Sequence, residues 1–245
     1  MKFPSLLLAL AATLLAAPAA RAQDIGPVFD MSIIPTNAGL QTVEMAERKR
    51  AGLPNKYAGK SATLASPAAN ARTSFAYAPT ATLQKQTADA YVAQVRAVKP
   101  EAATTVAEAL AGKTNYPALY HELNNGTGLR ENDAADVMAL YLLESWVIAN
   151  GVTDAKVITP VKTQAVRAQA AGILARNTKL SSGAALAQFG EQLKLNAAML
   201  EVGRLRSQHD NASATYRQKV AAQFQRQYHF DMTQLQLTSQ GLTKK

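Results

Sequence analysis

The chain has 245 residues, of which 48% are hydrophobic, with 26 lysines and arginines against 17 acidic residues and a formal charge of +9. It contains no cysteine, which excludes disulfide staples, thiol catalysis and a cysteine-linked lipid anchor. The fold must therefore rest on one hydrophobic core, and the chain is long enough to bury one.

In chain order, Met1-Lys2, an apolar run from Leu6 to Ala17 and the small residues Ala20 and Ala22 read as a secretory signal peptide over residues 1–22, cleaved after Ala22. The expected location is periplasmic or secreted. No later segment offers the roughly 18 uninterrupted apolar residues of a membrane span, so no transmembrane segment is expected in the mature chain. Residues 23–79 carry Pro27, Pro35, Pro54, Pro67 and Pro79 among alanine, serine and threonine, the composition of a flexible arm. One short helix is expected in it, from Leu40 to Arg50. The Ala58–Thr63 stretch "AGKSAT" imitates a phosphate loop, but Pro54 stands where the motif requires glycine.

From residue 80 to 245 the apolar period is helical. Leu83, Ala90, Tyr91, Val95 and Val98 predict a helix ending before Pro100; Ala103, Val106 and Leu110 predict a second, closed by Gly112 as its C′ residue. Pro117 opens a short third helix that stops at "NNGTG". The fourth runs from a cap at Asn132 or Asp133 to Gly151. Its apolar residues, from Val137 to Ile148, point all round, so other helices must surround it. Thr159-Pro160 starts a fifth. The sixth, about Ser182 to Ser207, carries Leu186, Phe189, Leu193, Ala197 and Leu200 on one stripe and Leu195, Met199 and Val202 on a second, which predicts two sets of neighbours. A seventh spans about Ala212 to Tyr228, and Asp231 caps a last turn. No strand is expected. The predicted fold is all-α: a single bundle of about six to seven helices behind an N-terminal arm.

Gly128-Leu129, Asn132, Ala135-Asp136, Tyr141, Trp146, Ala165-Val166-Arg167, Asp231, Leu237-Thr238 and Gly241 together resemble an uncharacterised family of exported helical proteins of Gram-negative bacteria, a domain of unknown function. The resemblance covers about residues 75–242. It implies an exported helical domain with a variable arm and brings no catalytic residue with it.

Two constellations carry the functional expectations. Glu144-Ser145 is similar to the Glu-Ser pair of lytic transglycosylases, where a buried glutamic acid with a raised pKa protonates a glycosidic oxygen. The turn that builds the sugar cleft in those enzymes is missing here, where "GVTDAKVITP" follows. The favoured fate of Glu144 is an internal bridge to Arg167, Arg204 or His121, and the glycan-cleaving enzyme is the alternative reading. The second constellation is basic: Arg204, Arg206, Arg217, Lys219 and Arg226 end one helix and start the next, and an antiparallel hairpin would bring them onto one binding face. Residues 101–152 hold two basic and seven acidic side chains, and 153–245 hold thirteen and five, so the basic third faces an anionic partner or the acidic middle of the chain. The primary expectation is a non-enzymatic binding module for an envelope protein or an anionic envelope polymer. Neither nucleic acid, a cofactor nor a metal is expected: His121, His209 and His229 lack helical ligand spacing, and Trp146 with Tyr91, Tyr120 and Tyr141 is more readily core than a sugar groove.

Overall fold

The computed structural model describes residues 74–112, 115–228 and 231–245. The signal peptide, the Leu40–Arg50 helix, the "AGKSAT" stretch and His229 lie outside the described residues. Seven helices pack together: α1 Ala81–Val98, α2 Pro100–Ala111, α3 Tyr116–Asn124, α4 Ala134–Asn150, α5 Pro160–Ala175, α6 Gly183–His209 and α7 Ser213–Tyr228. A hairpin of two strands, β1 Leu235–Thr238 and β2 Gly241–Lys244, follows.

Local chemistry sets the helix starts. Side-chain oxygens of Thr80, Asn115, Asp133, Thr159 and Ser182 accept from the free amides of the first turns of α1, α3, α4, α5 and α6. Pro100, Pro117 and Pro160 sit in first turns, where no amide is needed. At the far end of α4, Gly151 takes the left-handed conformation, φ 62°, and its amide closes back on Val147 and Ile148. Gly112 closes α2, but with an extended φ of −71° and ψ of 177°, so the helix runs out without a left-handed cap.

Helix α4 is the axis. All but three of its residues are buried, and α5, α6, α7 and the hairpin region enclose it. The two stripes of α6 serve two cores, as their spacing predicts. Leu193, Ala197 and Leu200 pack into the α4 cluster; Leu195, Ala198 and Val202 pack against α1, α2 and α3. A helix that serves two cores must be long, and α6 has 27 residues.

The hairpin corrects the expectation that the chain holds no strand. Leu235 to Thr238 pair antiparallel with Lys244 to Gly241, closed by a turn at Ser239-Gln240 with Gly241 at φ 98°. Four-residue strands leave only two alternations to read, too few to separate from a loop. Tertiary contacts hold them. The Gln169 side chain of α5 donates to the Leu242 carbonyl at 3.0 Å and accepts from its amide at 2.9 Å, taking the place of a third strand. The indole of Trp146 donates to the Leu235 carbonyl at 2.9 Å.

The last residues of the expected arm are docked. The amide of Phe75 donates to Asp133, Ala134 donates to the Phe75 carbonyl, and Tyr77 donates to the Asn132 carbonyl, all between 2.8 and 2.9 Å. Asp133 thus anchors this strap and caps α4 at once. Its carboxylate also lies 2.7 Å from an Arg130 nitrogen and 3.5 Å from Arg167. Asp136, one turn on, pairs with both arginines. Arg167 is 2% exposed, so its charge depends on these two carboxylates.

Replacing Asp133 with Ala leaves Arg167 half-paired, uncaps α4 and frees the strap. We expect a loss of about 3–5 kcal/mol in urea unfolding; a loss below about 1 kcal/mol would contradict this role.

Candidate functional site

Glu144 projects from the middle of α4 toward α6. There it meets Glu201 and Arg204, which stand one turn apart. Arg204 binds Glu201 through two parallel hydrogen bonds, Nε to Oε2 and Nη2 to Oε1, each 2.6 Å. This fork-to-fork geometry occupies the guanidinium face. Glu144 Oε1 is left 3.8 Å from Arg204 Nε, beyond hydrogen-bond distance, and among the described residues it has no hydrogen-bond partner. Tyr216 of α7 covers the cluster. Its ring lies where a Cβ on Gly203 would be, and its hydroxyl donates to the Leu200 carbonyl at 2.9 Å.

One guanidinium therefore faces two buried carboxyl groups. Burial, then the charge of Glu201, push the Glu144 pKa well above the usual glutamic-acid range; Arg204 opposes them, and hydrogen bonding with Glu201 adds to the rise. Of the three expected bridging partners, Arg204 is the one that faces Glu144, at 3.8 Å. The other two expected partners are engaged elsewhere: Arg167 with Asp133 and Asp136, and His121 with Glu131. His121 is itself raised by that hydrogen bond and by the Glu131 charge, and it stands in solvent.

The basic constellation divides. Arg204 turns inward to the two glutamates, and Arg206 pairs with Asp210 at 3.4 Å. Arg217 and Arg226 are exposed on α7, and Lys219 is half-buried beside them. Only Arg217 lines the open groove that runs along α7. That groove, about 530 Å³, is walled by Ala214, Arg217, Gln218, Ala221, Ala222 and Gln225 on one stripe of α7, with Ala149-Asn150 and Asp231 with Thr233 opposite. The stripe repeats at three and four residues, so the groove is a helix face left uncovered. Arg217 lies across Gly151, where any side chain would collide with its guanidinium. The cation is thereby set at the C-terminal end of α4, where the helix dipole favours positive charge. Among the described residues Arg217 has no hydrogen bond or ion pair. Asn150 and Asp231 are engaged internally: Asn150 donates to the Trp146 and Met232 carbonyls, and Asp231 caps the 3₁₀ turn at Met232–Gln234.

A third polar cluster, formed by Glu191 and Lys194 of α6, escaped the sequence reading. Glu191 accepts from Tyr77 at 3.1 Å, Tyr116 at 2.7 Å and Lys194 at 2.7 Å; Lys194 donates to Asn132 and stands 5.3 Å and 5.7 Å from the Tyr77 and Tyr120 ring centres. The i,i+3 spacing of Glu191 and Lys194 was the available signal, as it was for Glu201 and Arg204. Nothing local marks these pairs as buried. Trp146, Tyr91, Tyr120 and Tyr141 are all core residues, so they line no sugar groove. Among the described residues no group of three potential metal ligands exists, and no helix is long and apolar enough to cross a membrane.

Comparison with protein-family models, curated proteins and solved structures finds no match.

The raised pKa has a sign that can be measured. Unfolded, Glu144 ionises in the ordinary range; folded, it keeps its proton to higher pH, so stability falls between the two values and then levels. The slope is about 1.4 kcal/mol per pH unit. Glu144→Gln should remove this slope in urea unfolding across that window while leaving acid stability unchanged. A variant that keeps the native slope would show that Glu144 ionises normally in the fold.

Proposed function

We propose that the protein is an exported, non-enzymatic binding module that uses the α7 groove to hold an acidic segment of an envelope protein. The observation that carries this is Arg217: a cation fixed by its packing on Gly151, in a groove, without an ion-pair partner among the described residues. A carboxylate would give it the charge-assisted, two-pronged contact that Arg204 makes with Glu201. Gln218 and Gln225 stand on the same stripe and are exposed, so their amides suit the donors and acceptors of an extended peptide backbone. A volume of about 530 Å³ lies within the range of sites that hold a few residues or a small ligand. The N-terminal pattern of a signal peptide and the resemblance to exported helical proteins support the envelope as the place of action.

The alternative reading, a glycan-cleaving enzyme with Glu144 as acid, has one observation in its favour. Glu144 carries the raised pKa that a general acid needs. A general acid must also reach the glycosidic oxygen within hydrogen-bond distance, directly or through one water. Glu144 is 9% exposed, beneath Tyr216 and beside Arg204, and the α7 groove does not include it. Enclosure weighs for the binding module.

Fluorescence anisotropy of a labelled glutamate-rich peptide, titrated with the full chain, tests the reading. Arg217→Ala should weaken binding by about tenfold to a hundredfold, the value of a hydrogen bond to a charged group, and Arg226→Ala far less. Equal binding by both variants and the native chain would overturn the groove as the site, and competition by an anionic glycan alone would reassign the partner to an envelope polymer.

A further inference from the structure

We propose that the Glu144–Glu201–Arg204 cluster is a proton-linked clasp that holds α7, and with it the groove, against α4 and α6. The groove reading supplies only the consequence; the clasp stands on the geometry of the cluster. Three charged groups from two helices meet where α7 crosses them, the two glutamates buried and Arg204 partly so, and among the described residues Tyr216 of α7 packs beside them on Gly203 and Leu200. The carboxylate count exceeds the cation count by one. With the Arg204 fork occupied by Glu201, the enclosed Glu144 Oε1 has no donor to receive an ionised charge.

Titratable groups face the cluster from four helices. From α4 the cluster meets Glu144 and, through Tyr216, Tyr141; from α6, Glu201 and Arg204; from α7, Tyr216; from α1, Tyr91 behind Tyr216. The arginine of α5, Arg167, is committed to Asp133 and Asp136 at the start of α4. Burial raises the pKa of Tyr91, Tyr141 and Tyr216, and the two glutamates raise that of Tyr216 further; a tyrosine is neutral or anionic, so none supplies a positive charge to the cluster. Hydration accommodates an ionised Glu144, and water enters where α7 lifts.

Of the three helices, α7 is the one that can move. Helix α6 is fixed by two cores and α4 is enclosed on all sides, whereas α7 buries Tyr216, Val220, Phe224 and Tyr228 on one face and leaves the groove stripe open. Its start follows a turn in which Asn211 has a φ of 54°. Opening α7 releases the Glu144 proton. The opened population therefore rises with pH, and the groove, which α7 builds with the end of α4, is dismantled as it rises.

Hydrogen exchange on the full chain, without ligand, tests this directly. After correction for intrinsic exchange, the opening constant of α7 amides should rise about tenfold per pH unit between the ordinary carboxylate range and the folded-state value, the slope of one proton. Amides of α4 should stay protected through that window. Glu144→Gln should flatten the α7 slope; Glu201→Gln, which frees Arg204 for Glu144, should shrink it. An infrared band of a protonated carboxyl in the native chain at neutral pH provides a check that needs no variant. The clasp is overturned if native α7 amides show no such slope, if α4 and α7 open together, or if the band is absent. These outcomes do not depend on peptide binding, so either the clasp or the groove can fail without the other.

Discussion

The fold depends on Arg167 being buried between two aspartates. Desolvating a guanidinium costs several kcal/mol, and only close carboxylates with further hydrogen bonds recover it. Asp136 pairs with its Nε, Asp133 lies 3.5 Å from its Nη2, and Arg130 closes the outer side of both carboxylates. Asp133 at the same time caps α4 and binds the amide of Phe75. Three parts of the chain distant in sequence, the strap, α4 and α5, are thus fixed by one charge-balanced cluster. Apolar packing alone would let these helices slide; the arginine fixes where the end of α4 meets the face of α5.

The same bookkeeping distinguishes the other polar clusters. Around Glu191 the charges balance, with Lys194 as cation and two tyrosine hydroxyls filling the remaining acceptor positions. Around Glu201 they do not, because Glu144 brings a second carboxyl to a single arginine. This cluster therefore holds one carboxyl more than its cation, which the other two do not. On the surface the imbalance is reversed: among the described residues Arg217 is a cation without a carboxylate. The interior excess of acid and the exterior excess of base meet on the same helix, α7, which covers one and displays the other.

Much of the bundle was legible in the sequence. Caps at Asp133, Thr159 and Ser182, the left-handed Gly151, and the two stripes of α6 are local signals, and the structure places all of them as their chemistry requires. The hairpin was not legible, because its strands are held by Gln169 and Trp146 from far along the chain. The site was legible only in part. The glutamate at 144 could be singled out from its place in an apolar helix, but which arginine approached it depended on α6 packing against α4. The basic run from Arg204 to Arg226 reads as one face in sequence, whereas helical rotation turns Arg204 inward and leaves Arg217 alone in the groove. Gln218 and Gln225 carry no sequence mark beyond their spacing.

The most direct measurement of the central claim is a double-mutant cycle between Asp136 and Arg167, using Asp136→Asn, Arg167→Met and the pair, with stability read from urea unfolding. The account predicts strong coupling, with each single change costing about 3–5 kcal/mol and the double change costing far less than their sum, because each partner is left buried and uncompensated by the loss of the other. Additive losses within about 0.5 kcal/mol would contradict it, showing that Arg167 and Asp136 act independently and that packing alone sets the arrangement of α4 and α5.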